Sequence, residues 1–150
     1  MAHSVVGFVV RSSAAQPVRE REPRLRGIDL AQDLVLFPLT DELLDEIFAP
    51  SPERGPAEFT YLSPPLFAFL RGLSRNGPIM YFETEYHGGT GGQSAVVLSE
   101  GAVSLGPTKG EIGPINEALR AIGVKRSAEA DEFQVVGLWR HRFSEDWLES

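Results

Sequence analysis

The densest run of groups able to do chemistry is Tyr81-Phe82-Glu83-Thr84-Glu85-Tyr86-His87, followed at once by Gly88-Gly89-Thr90-Gly91-Gly92-Gln93. Its aromatic and β-branched character predicts a strand from Ile79 to His87. Side chains alternate along a strand, so Tyr81, Glu83, Glu85 and His87 share one face while Phe82, Thr84 and Tyr86 share the other. Two carboxylates and an imidazole on one surface could serve proton transfer, with Glu83 or Glu85 as acid or base and His87 or His141 as second proton carrier or ligand. Same-face neighbours stand about 7 Å apart, too far for adjacent ones to grip one metal ion without ligands from another element. Another outcome is neutralisation of Glu83 and Glu85 by Arg140 or Arg142, if the last strand pairs nearby.

Gly88, Gly89, Gly91 and Gly92 permit positive φ and leave backbone N–H groups open, which suits either an anion nest or a plain hairpin. The surroundings differ from a nucleotide loop: a strand, Gln93 to Leu98, follows instead of a helix, and no Gly-Lys-Ser/Thr ending is present. A second charged cluster lies at Asp41, Glu42, Asp45 and Glu46. On a helix these pair as 41 with 45 and 42 with 46, like charges that repel by a few tenths of a kcal/mol each, about the cost of one weak contact. Uncompensated acid of this kind forms either a solvated face or a docking surface that speeds encounter with a basic partner.

Composition narrows the chemistry further. The chain has no cysteine and only three histidines, His3, His87 and His141, which removes disulfides, thiolate nucleophiles and cysteine-bound zinc. Gly-x-Ser-x-Gly, His-Glu-x-x-His and Ser-x-x-Lys are all missing. No catalytic residue, cofactor or metal is therefore assigned. A net charge of −7 opposes sequence-independent binding to phosphate backbones, so nucleic acid is not an expected partner. The opening apolar stretch, Val5 to Val10, lacks a basic lead and a cleavage-like segment, and no run reaches the roughly 18 apolar residues of a membrane span. A cytoplasmic protein off the membrane is expected.

The 150 residues suit one domain, with 42% apolar and 23% charged residues matching a globular chain. Ser4 to Arg11 reads as an opening strand. Ser12 to Gly27, with Ser12, Ser13, Pro17, Pro23, Gly27 and four arginines against Glu20 and Glu22, reads as a mobile basic loop. Asp33 to Leu39 is a short strand, and Thr40 caps a helix whose apolar stripe is Leu43, Leu44, Ile47 and Phe48, stopped at Ala49-Pro50-Ser51-Pro52. Ser63-Pro64-Pro65 starts a second helix, with Leu66, Phe67, Phe69, Leu70 and Leu73 inward. A meander follows: Ile79 to His87, Gln93 to Leu98 and Ala102 to Leu105. A third helix spans Ile112 to Ile122 and ends at Gly123. Phe133 to Phe143 reads as a final strand with His141 beside Trp139 and Phe143, and the acidic tail from Ser144 is anchored by Trp147. The expected fold is α+β: a mainly antiparallel sheet of opening strand, central meander and final strand, with about three helices packed on it.

The segment Tyr81 to Val97, together with Asp131-Glu132-Phe133, Gly137-Leu138, Arg140-His141-Arg142 and Glu145-Asp146-Trp147, resembles a family of small bacterial proteins, some of which belong with polymorphic-toxin immunity proteins. That resemblance implies a protein-binding role, with a basic toxin as the partner. An acidic protein that covers a cationic site fits such a role. The expected interface is the acidic helix (Asp41, Glu42, Asp45, Glu46) with the hairpin around Glu83, Glu85, His87 and Gly88, Gly89, Thr90, Gly91 and Gly92. The alternative is a small metal- or ligand-binding enzyme using the Glu83/Glu85/His87 strand face.

Overall fold

The computed structural model describes residues 2–48 and 52–149. Its centre is a six-stranded antiparallel sheet in the order β2-β3-β1-β4-β5-β6, where β1 is Val6–Arg11, β2 Ile28–Leu30, β3 Leu34–Pro38, β4 Ile79–His87, β5 Thr90–Ser99 and β6 Ala102–Gly110. The helices are α1 Ala15–Arg21, α2 Asp41–Ile47, α3 Pro64–Leu73, α4 Pro114–Ala121, α5 Glu132–Val136 and α6 Ser144–Leu148. The protein is thus α+β with an antiparallel sheet, but the strands filling that sheet differ from those expected.

Helices cover both faces of the sheet, which explains why its central strands are nearly continuous apolar runs instead of alternating ones. On one face Phe8, Val10, Phe37, Tyr81 and Leu98 pack against Val18 of α1 and Leu66, Leu70 and Leu73 of α3. On the other, Val9, Leu36, Met80, Phe82 and Val97 pack against Ile115, Ala118 and Leu119 of α4, Val136 of α5 and Trp147 of α6. Deep burial of both faces fixes the register, because a one-residue slip would send every side chain to the opposite layer.

Two expected elements are corrected. Phe133 to Phe143 is not a strand: the Asp131 side chain accepts from the Gln134 N–H at 3.0 Å and caps α5, and Gly137 at φ 92° ends it in the left-handed conformation. A 3-10 turn, Leu138–Arg140, and α6 complete the segment. His141 accordingly stands edge-on to Trp147 at 4.7 Å instead of on a strand face with Trp139 and Phe143, and Arg140 lies over the Trp147 ring, away from Glu83 and Glu85. Residues 12–27 likewise form a 3-10 turn and α1, with Ala14, Ala15, Val18 and Leu25 buried. Pro17 fits because it occupies the first helical turn, where its missing N–H costs no internal bond.

The expected helices match α2, α3 and α4 in position. Thr40 caps α2 by accepting from Leu43 N–H at 3.1 Å, and Ser63 caps α3 by accepting from Leu66 N–H. The stop at Ala49-Pro50-Ser51 lies outside the described residues. β2, which the sequence reading missed, is the outer strand beside β3, and Arg140 Nη2 donates to its Asp29 carbonyl at 3.3 Å.

Candidate functional site

Register alone places the acidic strand face at one end of the sheet. Glu83 stands opposite Val6 of β1 and Ser94 of β5, and beyond it β4 and β5 project as a hairpin to the His87↔Thr90 pair. Gly88 and Gly89, at φ 58° and 85°, form its two-residue turn, the all-positive conformation that favours glycine. Thr90 Oγ1 donates to the His87 carbonyl at 2.9 Å and closes the tip.

The three groups read as one face have separate environments. Glu83 is only 8% exposed and accepts from three donors: Thr60 N–H at 2.8 Å, Tyr61 N–H at 2.9 Å and the Tyr81 hydroxyl at 2.6 Å. Its carboxylate therefore pins the 60–61 backbone to the sheet. Burial, then the charge of Glu83 and its hydrogen bond, push the Tyr81 phenol well above its usual range, so Tyr81 is a fixed donor. Glu85 is solvated, accepts from Ser4 Oγ at 3.0 Å and pairs with His87 Nε2. Among the described residues no three His, Asp or Glu side chains come together as a metal site.

Tyr61 ties this face to the helical acid cluster. The residue is 39% exposed, and its phenol pKa is raised by burial first and then by the charges of Asp41, Glu85 and Glu83. Asp41 of α2 therefore acts on the same patch as the hairpin carboxylates. Glu46 does not: Arg24 is paired with Glu22 and reaches the Glu46 carbonyl at 3.3 Å, which turns that end of α2 toward the segment after α1. Glu42 and Asp45 are exposed on α2.

Between Tyr61 and the hairpin lies an open cleft of about 480 Å³. Among the described residues, Glu58, Glu83, Glu85 and Glu111 line it against a single cation, Lys109, while Gly91 and Gly92 let the β5 backbone approach its neighbours closely, since a Cβ would overlap the Glu85 carbonyl at the first or meet the Gly110 carbonyl at 2.9 Å at the second. Such a concavity favours a cation and disfavours an anion, so the glycine turn beside it lacks the electropositive surroundings of an anion nest. Sequence reasoning missed Glu58, Tyr61, Lys109 and Glu111, which sit in a connection and at the end of β6. The one available signal was Tyr81 two residues before Glu83, a same-face phenol and carboxylate able to bond along the strand.

No family model, curated protein or solved structure matches the chain.

Proposed function

We propose that the protein is an acidic protein-binding domain, an immunity-like protein that docks a basic partner such as a toxin. The observation that carries this reading is the cleft lined by four glutamates and one lysine beside an exposed tyrosine. A buried carboxylate held by two backbone N–H groups and a phenol presents a fixed negative charge, and the solvated Glu85 and Asp41 widen the field around it. Tyrosine is a common anchor at such surfaces because it offers a rigid ring with a polar tip. A protein that covers a cationic site gains from this arrangement, because complementary charge accelerates encounter and fixes orientation.

The alternative, proton-transfer chemistry on the same strand face, has less support. Three donors of the protein itself, Thr60 N–H, Tyr61 N–H and the Tyr81 hydroxyl, occupy Glu83 and bind its carboxylate up in positioning the 60–61 segment.

The test is capture of partners from the native lysate by the wild-type chain and by an Asp41→Lys, Glu85→Lys variant, washed at low and high salt and identified by mass spectrometry. Both positions are exposed on the protein surface, so the variant should stay folded. A basic protein retained by wild type, released by salt and absent from the variant is the expected result. A partner retained equally by both chains would refute the assignment of the cleft.

A further inference from the structure

The β4–β5 hairpin separates the acidic cleft from a second open concavity of about 330 Å³ on the α4–α5 side, and Thr84 lines both. The walls of this second concavity are the Tyr86 and Phe133 rings and Ile112, which is 80% exposed just before α4. Among the described residues its one carboxylate is Asp131, which accepts from Gln134 N–H at 3.0 Å and Asn116 Nδ2 at 3.2 Å. A carboxylate has about four acceptor positions, so acceptor capacity remains there.

His3 completes the lining without adding positive charge. Its ring stands edge-on to Phe133 at 5.8 Å, its Nδ1 bonds Thr84 Oγ1 at 2.7 Å, and its pKa is lowered by burial first, against the opposing effect of the Leu138 backbone, with the Arg142 charge lowering it further. Aromatic and aliphatic walls around one negative charge match a side chain with an apolar stem and a cationic head. Neutral aliphatic side chains would use the walls but bring no donor to the acceptor positions that Asp131 has left.

We propose that this concavity is a second pocket for a basic side chain, arginine or lysine, of the same partner, so that two cations of the partner straddle the hairpin. The inference rests on the protein-binding reading of the acidic cleft and adds a second, separately testable contact. An apolar stem lies along Ile112 and Phe133 while the head reaches Asp131.

The experiment is an amide-resolved NMR titration of the full chain with n-butylguanidinium, and with n-pentanol as the uncharged probe of similar length. Millimolar n-butylguanidinium should shift the amides of Tyr86, Ile112 and Phe133, and separately those of Tyr61 and Glu85, with n-pentanol giving much smaller changes. Ile112→Arg, at a position too exposed to disturb the core, should abolish the first set and keep the second. Shifts confined to Tyr61 and Glu85 would overturn the second pocket and leave the cleft standing. Shifts confined to the α4–α5 side would support the pocket and reject the cleft. Equal response to n-pentanol would overturn the basic class of occupant.

Discussion

Replacing Glu83 by glutamine tests how the cleft is held together. The amide keeps the size of the carboxylate but has one acceptor oxygen where the carboxylate has two. If that oxygen takes the position facing Tyr61 N–H and the Tyr81 hydroxyl, the new NH₂ faces the Thr60 N–H, donor against donor, where a 2.8 Å bond stood before. At least one charge-assisted bond is lost and one donor in a nearly enclosed site is left without its acceptor, a cost of about 2–4 kcal/mol. For a chain of this length that lowers the midpoint of thermal unfolding by roughly 4–16 °C. Urea denaturation of wild type, Glu83→Gln, Tyr81→Phe and the double variant gives both the cost and the coupling. Tyr81→Phe alone should cost about 1–2 kcal/mol, and the cycle should show coupling above about 0.5 kcal/mol. A Glu83→Gln cost below about 0.5 kcal/mol, the range of ordinary surface changes, would refute the three-donor account.

Other perturbations probe the layer on the α4–α5 side. His3 has a folded pKa lowered below its ordinary 6.5, chiefly by burial, so its contribution is fully present above that value and is lost as pH falls through the folded pKa. His3→Gln should flatten that part of the stability profile, and an unchanged acid limb in denaturation would contradict it. Arg120→Met leaves the buried Glu132 carboxylate without its 2.9 Å partner and should cost roughly 1–3 kcal/mol by urea unfolding, less than a fully buried pair because Arg120 is largely solvated. Trp147→Ala should cost about 3–5 kcal/mol, since the indole is 1% exposed in the second core layer; near-wild-type stability would mean that α6 is not part of that core.

Local signals in the sequence located β1, the β4–β5 hairpin, α2, α3 and α4 because caps, glycine turns and apolar periodicity agree there. At the C-terminal segment they disagree. Phe133, Val135, Val136 and Trp139 have strand-like composition, but Asp131 with Gln134 three residues later is a helix-start pattern and Gly137 a helix-stop pattern, and these outweighed composition. In residues 12–27 the turn formers hid Ala14, Ala15 and Val18, three small apolar residues whose burial depends on the sheet face above them. The alternation of β4 was legible and set Glu83 beside Glu85, yet their different fates were not. Whether a strand carboxylate is buried depends on the 58–62 segment folding over it, a contact more than twenty residues away in sequence. The link between Asp41 and the hairpin through Tyr61 is tertiary in the same way.

The most direct test of a partner-binding cleft is site-specific photo-crosslinking in the native cell, with benzoylphenylalanine placed at Tyr61 in the cleft and, as control, at the exposed Arg75 beside the opposite end of β4. One crosslinked adduct to a basic protein is expected from position 61, weakened by Glu85→Lys, and none from position 75. The same adduct from both positions, or an adduct from position 61 that Glu85→Lys leaves unchanged, would contradict a partner-binding cleft.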